Sequence, residues 1–438
     1  MMELWDNIIS NYSFVIPIVV ILACFIIRVP ISVTMFVSST VYVLVMGLNI
    51  GTLLSRFMVR FTENFVIIAV PLFIFTANIL NSSKVADYMF DFSKALIGKR
   101  RGALAYVNVL ISLIFAGMSG SAFADATGIG KIELEAQRKD GYPDEFSAAI
   151  TACTATIGPV FPPSINLVTY SMITGASCGA LLLGGVIPAI LMVCSIMVYV
   201  ALIANKRGFP PGIVYTKKEF FSFTLKALPA LFTPIILLTS IYTGIVTATE
   251  AAAISAAYAI IIALFVYRTI DLKGIWKCFK DTAIQCGPTM LIVAASGPFN
   301  YCMTVSGLGQ RVLDFFTGIT TNPYVFLLIA NVMFLVLGMF LDTSTITWVI
   351  LPLIYPVAQK MGINMVHFGL IYVINTLIGM CTPPFGMLVF LSSQLAEAPV
   401  KKVFKEALPM VGALLVVLLL VTYIPGLTLW LSNAVLSR

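Results

Sequence analysis

A pair of adjacent prolines occurs twice in this chain, each time a few residues after a glycine in an otherwise apolar stretch. Pro162-Pro163 follows Gly158, and Pro383-Pro384 follows Gly379. The two proline pairs are separated by 383 − 162 = 221 residues, as are the two glycines. Three further pairs share this offset: Gly117 and Gly338, Gly141 and Gly362, and Pro188 and Pro409. Five coincidences at one spacing indicate an internal duplication.

Each doubled proline must interrupt any helix that contains it. Proline has no backbone N–H and its ring clashes with the preceding turn, so nearby carbonyl and amide groups lose their helical partners. Lipid tolerates such groups only where they line a protein or water-filled site. Corresponding breaks in two halves of a membrane protein are typical of the binding site of a secondary transporter.

The composition excludes a soluble fold. Charged residues make up 10% of the 438 residues and the mean hydropathy is +1.02, whereas soluble domains carry about 25% charged residues. Apolar runs such as 187–204 and 411–423 have the character that a bilayer core of about 30 Å requires. The net charge of +7 comes from short Lys/Arg clusters between such runs. These clusters mark cytoplasmic loops and do not indicate nucleic-acid binding.

The apolar pattern predicts an all-α polytopic membrane protein with about ten transmembrane helices. They are placed near residues 12–28, 31–50, 63–81, 143–175, 178–204, 227–247, 249–268, 283–303, 364–396 and 406–428. With the N-terminus outside, all but five of the 26 Lys and Arg residues lie on the cytoplasmic side. The exceptions are Arg56, Arg60, Arg311, Lys360 and Arg438. This asymmetry favours the stated orientation over its reverse.

Two further segments, 103–140 and 322–360, are predicted to enter the membrane without crossing it. In the first, an apolar limb runs into the small polar stretch 119–125, and the returning limb carries several charges, too many for a lipid-facing span. The second turns at 341–345 and has few basic residues at its flanks. Each is interpreted as a re-entrant helical hairpin, the first entering from the cytoplasm and the second from outside. Two short spans would give the same sidedness.

The duplication and the opposite entry sides predict two inverted repeats. Each hairpin tip then meets the broken helix of its own half near the middle of the bilayer. Helix N-termini there would face a carboxylate, while freed carbonyls and hydroxyls would be hard oxygen ligands for a small cation. We therefore expect two cation sites, one near Ser119 and Gly158 and one near Ser344 and Gly379, with an anionic solute between them. The candidate site residues are Ser119, Gly120, Ser121, Asp125, Ile157, Gly158, Pro159, Pro162 and Pro163 in the first half, and Asp342, Thr343, Ser344, Thr345, Gly379, Thr382, Pro383 and Pro384 in the second.

Several titratable residues have both a functional and a structural interpretation. Asp125 and Asp342 either shape the charge of the site or cap a hairpin limb. Glu250 is more typical of a helix start, and His367 of ordinary packing. The eight cysteines form no CxxC pair and no cluster with histidine, so neither a disulfide framework nor a metal cluster is expected. One histidine and dispersed thiols also disfavour an enzyme, and no cofactor is expected.

A series of motifs runs through nearly the whole chain. They are Pro71-Leu72-Phe73-Ile74 with Asn78, Phe115 to Ala122 with Ala124-Asp125, Thr156-Ile157-Gly158-Pro159, Pro162-Pro163-Ser164 and Thr249 to Ala253. Together they resemble the large membrane subunit of tripartite ATP-independent periplasmic (TRAP) transporters. The resemblance implies an elevator-type fold of the ion transporter superfamily kind, and a sodium-driven importer of organic acids in the bacterial inner membrane. It also implies two partners, a small four-helix membrane subunit on a separate chain and a periplasmic substrate-binding protein.

The chain is accordingly divided into five parts. They are 1–102, first-repeat scaffold and arm helices; 103–205, first-repeat transport elements with hairpin 1 and a broken helix; 206–226, a cytoplasmic connector; 227–320, second-repeat scaffold and arm helices; and 321–438, second-repeat transport elements with hairpin 2, a broken helix and the last span. The alternative function is a stand-alone sodium/carboxylate symporter that needs no binding protein. Sialic acid, a C4-dicarboxylate and a sugar acid all remain open as the solute.

Overall fold

The structure, a computed structural model, describes residues 13–60, 62, 65–243 and 246–436. Within these ranges the chain consists of helices and loops, and the isolated β-bridge between Arg101 and Pro211 is its only extended pairing. The start of the crossing predicted at 12–28, the outer N-terminus and the outer position of Arg438 lie outside the described residues.

The first half contains twelve helices within the described ranges. They are α1 (Val15–Ile26), α2 (Ile31–Val45), α3 (Gly51–Val59), α4 (Ala69–Ser82), α5 (Val85–Ile97), α6 (Ala103–Ser119), α7 (Ala122–Thr127), α8 (Ile129–Lys139), α9 (Asp144–Ala155), α10 (Ile165–Thr174), α11 (Cys178–Gly184) and α12 (Val186–Ala204). A 3₁₀ turn, Phe65–Ile68, precedes α4.

The second half contains eleven helices in the described residues. They are α13 (Lys217–Tyr242), α14 (Ala248–Ile261), α15 (Leu272–Val305), α16 (Leu308–Ile319), α17 (Pro323–Phe340), α18 (Thr343–Thr345), α19 (Leu351–Lys360), α20 (Met365–Gly379), α21 (Met387–Leu395), α22 (Val400–Tyr423) and α23 (Gly426–Leu436). Two π-helical turns, Ile262–Val266 and Ile346–Ile350, follow α14 and α18. Helices α9 and α20 begin 365 − 144 = 221 residues apart, at the offset of the duplicated prolines.

Six helices of the described part are long and apolar enough to cross a membrane, or seven if the bent pair α15 and α16 forms one span. Two of the predicted crossings are shorter helices, because α1 has 12 residues and α2 has 15. Two others are divided by the proline breaks into α9 with α10 and α20 with α21. The count of about ten crossings therefore stays a prediction.

The predicted hairpins differ in how their limbs pack. In the first, α6 packs against the returning α7 and α8, and α8 lies against α9. In the second, α17 packs against α20, whereas the returning α19 packs mainly against α16. Helix α17 also has the length and composition of a membrane span. Re-entrance of the second hairpin, and with it the inversion of the repeats, stays a prediction.

Two helices begin about ten residues before the starts predicted from their apolar runs. The crossing placed at 227–247 starts at Lys217, inside the expected connector 206–226, because Thr216 and Glu219 form a capping box. In this box the Thr216 N–H donates to Glu219 Oε2 at 2.7 Å, and the backbone and hydroxyl donors of Thr216 lower the pKa of Glu219. The crossing placed at 283–303 starts at Leu272, where Asp271 Oδ1 accepts the Gly274 N–H at 2.7 Å. Polar caps satisfy the free N–H groups of a first turn and so extend a helix beyond its apolar part.

The helices form two packed groups. In one, α15 packs on α2, α3 and α4, and α14 packs on α4 and α13. In the other, the broken helices of the two halves cross, so that α9 lies against α21 and α10 lies against α20. At this crossing the thiol of Cys381 donates to the carbonyl of Ala152 at 3.2 Å, across 229 residues of sequence. The largest apolar core runs through this second group.

Candidate functional site

The first proline pair leaves one backbone carbonyl without a donor. In a continuous helix, residues 162 and 163 would donate N–H groups to the carbonyls of Gly158 and Pro159, and prolines cannot. The hydroxyl of Ser164 donates to the Pro159 carbonyl instead. The Gly158 carbonyl accepts no backbone hydrogen bond from the described residues. It is therefore a candidate cation ligand.

The second proline pair repeats the break but not the free carbonyl. The Gly379 carbonyl accepts the N–H of Thr382 at 2.9 Å, and the Met380 carbonyl accepts the N–H of Leu388 at 3.0 Å. The hydroxyl of Thr382 donates back to Ile378 at 2.8 Å. Both proline–proline peptide bonds are cis. At this break an oxygen must therefore offer its second lone pair if it is to bind a cation.

The first hairpin tip lies directly on the first break. Gly120 has φ +61°, and a Cβ added there would lie 2.3 Å from the carbonyl oxygen of Pro163. A Cβ added to Gly158 would lie 3.8 Å from the carbonyl of Ser121. Glycine is needed at position 120 because of both its left-handed backbone and this close approach.

The second tip is held by its own aspartate. Asp342 caps the short helix α18: its carboxylate accepts the N–H of Thr345 at 3.2 Å and also the Thr345 hydroxyl. Thr343 donates to the sulfur of Met380 at 3.5 Å, which joins the tip to the second break. Asp342 thus has the capping role, and it also lines the cavity described next.

Both tips meet in a cavity of about 270 Å³. The first tip lines it from Ser119 to Ala124 and the second from Asp342 to Ser344, and Pro159 contributes from the first break. Asp342 is the only carboxylate among the described lining residues, and none of them is Lys, Arg or His. The remaining predicted site residues do not line it: Asp125, Ile157, Gly158, Pro162, Pro163, Thr345, Gly379, Thr382, Pro383 and Pro384.

Two of the predicted hydroxyls form no hydrogen bond with the described residues. Ser119 Oγ is buried without a hydrogen-bond partner among the described residues, and the hydroxyl of Ser344 has no hydrogen bond there either. Ser121 Oγ caps α7 by accepting the N–H of Ala124 at 3.4 Å. Hydroxyl and carbonyl oxygens without hydrogen bonds are the kind of ligand that a small hard cation prefers. The first break thus offers more oxygens without hydrogen bonds than the Gly379 break does.

Asp125 lies in a separate buried polar cluster. The residue is only 1% exposed, and neither carboxylate oxygen accepts a well-formed hydrogen bond from the described residues, although the Ser112 side chain lies close to it. Glu133 nearby is equally buried, and its Oε2 accepts the amide of Asn108 at 2.8 Å. Asn108 also donates to Thr151 at 2.9 Å. Asp125 is not the N-cap of α7, which is Ser121, and it does not line the cavity.

Other polar residues of the cavity were missed from the sequence. Asn78 on α4 faces Gln285 and Thr289 on α15, and Asn166 and Thr169 enter from α10. Of these, Asn78 was noticed as part of a motif but was not assigned to the site. Gln285 and Thr289 are polar residues within an apolar helix, a signal that could have singled them out.

The structural interpretation holds for the two remaining titratable residues. Glu250 forms a capping box with Thr247, whose N–H donates to Glu250 Oε2 at 2.7 Å. His367 contacts the Thr428 hydroxyl through Nδ1 at 2.8 Å and the Thr422 carbonyl through Nε2 at 3.2 Å. These contacts tie α20 to α22 and α23, away from the cavity.

The family described as "Tripartite ATP-independent periplasmic transporter, DctM component" matches residues 18–427 of the chain. The chain belongs to this family. The match confirms the resemblance drawn from the motifs. The protein is thus a multi-pass membrane permease, and we refer to it below as the permease.

Curated relatives agree with this assignment. The permease is 37% identical over 375 residues to the sialic acid TRAP transporter large permease protein SiaM of Vibrio cholerae serotype O1, covering 86% of this chain and 88% of the relative. It is 34% identical over 372 residues to the C4-dicarboxylate TRAP transporter large permease protein DctM of Pseudomonas aeruginosa, covering 85% and 87%. It is 33% identical over 432 residues to the sialic acid TRAP transporter permease protein SiaT of Haemophilus influenzae, covering 97% and 70%.

A solved structure shares the fold. The YdaH transporter of Alcanivorax borkumensis matches with a TM-score of 0.60 and 14% sequence identity, over 87% of this chain and 88% of that one. At this identity the similarity concerns the fold alone.

Proposed function

We propose that the permease is the large membrane component of a sodium-coupled secondary importer of an organic acid across the bacterial inner membrane. It receives the solute from a periplasmic binding protein and works beside a small membrane subunit. The hairpins and broken helices move as the carrier, in an elevator-type motion, relative to the group formed by α2–α4 and α13–α15.

The observation that carries this proposal is the charge of the cavity. Its described lining has the carboxylate of Asp342 and no basic side chain. Two like unit charges 4 Å apart repel by about 4 kcal/mol at an effective dielectric constant of 20. An anionic solute is therefore favoured only together with a cation. The free hydroxyl of Ser119 in the cavity and the free carbonyl of Gly158, the residue before the lining Pro159, are suited to bind one. Binding of the two is then coupled.

The relatives support the solute class and the partners. Their names give sialic acid, C4-dicarboxylate and isethionate as solutes, all of which carry an acidic group. The family name describes a tripartite periplasmic transporter, which supports a binding protein and a second membrane subunit as the other two components. A stand-alone sodium/carboxylate symporter is the alternative.

Reconstitution tests the proposal. In proteoliposomes that contain the permease and its small subunit, uptake of radiolabelled organic acid should require both an inward sodium gradient and the cognate binding protein. A potassium gradient of equal size is the control for a non-specific ion effect. Equal uptake without the binding protein would favour the stand-alone symporter, and uptake independent of sodium would contradict the coupling.

A further inference from the structure

The cavity has two unlike faces. One consists of the hairpin tips and the first break, with Ser119, Asp342 and the helix ends. The other consists of neutral side chains on α4 and α15. On α4 the lining residues are Ile74, Ala77 and Asn78, and on α15 they are Gln285 and Thr289. The spacings of three and four residues place each set on one helix face.

The neutral face presents an amide pair with spare hydrogen-bonding capacity. Asn78 Nδ2 donates to the Thr282 hydroxyl at 2.9 Å, and Thr282 in turn donates to the Cys278 carbonyl at 2.7 Å. This chain fixes the Asn78 amide. The contacts between Asn78 and Gln285 are 3.5 Å in both directions, at the limit for a hydrogen bond. The exposed Gln285 amide therefore retains donors and an acceptor for a ligand.

The same two amides border a second cavity. Asn78 and Gln285 line both the first cavity and a neighbouring one of about 420 Å³, together with Ser121, Phe123 and Ala124. No Lys, Arg or His is found among the described lining residues of the second cavity either. A solute that extends from the tips past the amide pair therefore meets no cationic side chain among the described residues of the two cavities.

We propose that Asn78, Gln285 and Thr289 recognise a neutral hydroxyl- or amide-bearing part of the solute, so that the permease carries monocarboxylates with neutral polar groups in preference to dicarboxylates. This inference rests on the proposed function. The carboxylate of the solute binds at the tips, where sodium offsets its charge. A second carboxylate would lie against the neutral amides without a cation and would lose its hydration uncompensated. Amide groups instead pair well with hydroxyl and amide groups, and a site built for such pairing rejects solutes that lack them.

Direct binding measures this preference without the selectivity of a binding protein. The purified permease with its small subunit, in nanodiscs and saturating sodium, is titrated calorimetrically with N-acetylneuraminate, gluconate and succinate. We expect N-acetylneuraminate or gluconate to bind at least about tenfold more tightly than succinate. Gln285→Leu, which keeps the approximate volume, should weaken binding of the preferred acid about tenfold and leave that of succinate unchanged. Gln310→Leu is the matched control, because Gln310 lies on α16 and contacts Asp314 at 2.8 Å, outside both cavities.

A variant that adds a positive charge to the neutral face should gain affinity for a dicarboxylate. Gln285→Lys supplies the missing cation and should strengthen succinate binding about tenfold relative to N-acetylneuraminate. Tighter binding of succinate by the unaltered protein, or an equal effect of Gln285→Leu on all three acids, would overturn the inference while leaving the proposed function intact. Absence of sodium-dependent binding for every acid would overturn both.

Discussion

At the first break the carbonyl of Gly158 has no backbone donor in the part of the chain that the structure describes, whereas at the second the carbonyl of Gly379 accepts the N–H of Thr382 at 2.9 Å. Pro162 and Pro163 are buried, while Pro384 is exposed. The two breaks thus share their proline pairs and their chain course but differ in how many oxygens remain free and in how well these are shielded. The duplicated proline pair breaks the helix in both halves, and the neighbouring residues determine which backbone oxygens stay available to a ligand.

The surroundings of equivalent glycines differ in the same way. A Cβ added to Gly117 would lie 2.7 Å from Pro234 on α13, a helix outside the crossing. A Cβ added to its counterpart Gly338 would lie 2.7 Å from the Thr376 carbonyl, on the broken helix of its own half. The first hairpin therefore packs both against the crossed broken helices and against α13. The second packs chiefly against the broken helix of its own half. We expect the first half to be the less tolerant of substitution.

The largest difference should appear at the tips. Gly120→Ala puts a Cβ 2.3 Å from the Pro163 carbonyl in a backbone with φ +61°, which costs about 1–2 kcal/mol in backbone strain before the clash is counted. Sodium-dependent uptake, normalised to inserted protein, should fall by more than about tenfold. Leu341→Ala, at the equivalent position of the second tip, is the control and should retain uptake to within about twofold. Equal losses would show that the two tips are held alike.

The proline pairs should give the next largest difference. Pro162→Ala restores an N–H that can bond the free Gly158 carbonyl, so the half-saturating sodium concentration should rise about tenfold. Pro383→Ala should have a smaller effect, because the Gly379 carbonyl already accepts a hydrogen bond. The measurement is uptake against sodium concentration for both variants. A larger effect of Pro383→Ala would reverse the assignment of the better cation site to the first half.

A smaller effect is expected from the hydroxyls. Ser119→Ala removes an unpartnered buried oxygen; the loss of about 1 kcal/mol should raise the half-saturating sodium concentration about fivefold. Ser344→Ala should raise it less. By linkage, solute affinity at low sodium should fall by the same coupling free energy, and saturating sodium should partly restore it. A lower maximal rate with unchanged sodium dependence would show that these hydroxyls are not ligands.

The orientation of the two hairpins can be tested with almost no effect on transport. Cysteine at Asp140, just after α8, should be labelled only from the cytoplasm, and cysteine at Asn322, just before α17, only from the periplasm. The background lacks the eight native thiols. Asn322 also caps α17 through the N–H of Tyr324 at 2.9 Å, so its replacement costs about 1 kcal/mol of helix stability. Labelling of both positions from one side would contradict the inverted repeats.

The positions of the two helix breaks could be predicted from the sequence, but which of their carbonyls remain without a hydrogen bond could be predicted only in part. That Pro162 and Pro163 free the carbonyls of Gly158 and Pro159 follows from the missing N–H alone. The hydrogen bond from the Leu388 N–H to the Met380 carbonyl could not be predicted, because it depends on the path of the chain beyond the prolines. Local patterns could have given more in places: the capping box of Thr216 and Glu219 is readable as Thr-x-x-Glu and would have moved the start of α13 to its observed position.

Side chains brought together from distant helices were the part that sequence could not supply. The Asn78 and Gln285 amides meet across 207 residues, and no local rule links them. Similarly, the charge of Glu133 is one of those that predict a limb shielded from lipid, and the residue is only 1% exposed. Its partner Asn108, on the other limb of the hairpin, becomes visible only when α6 and α8 pack together.

The crossing of the broken helices also sets an order for synthesis. Helix α9 lies against α21, and the Ala152 carbonyl accepts the thiol of Cys381, which is made 229 residues later. At about 5–20 residues per second, the ribosome needs about 10–45 s to make that distance. During this interval the second broken helix, on which the first packs in the finished protein, has not yet been made. The nascent chain must therefore keep this segment sheltered, by the insertion machinery or in a provisional position, until the second half has been translated.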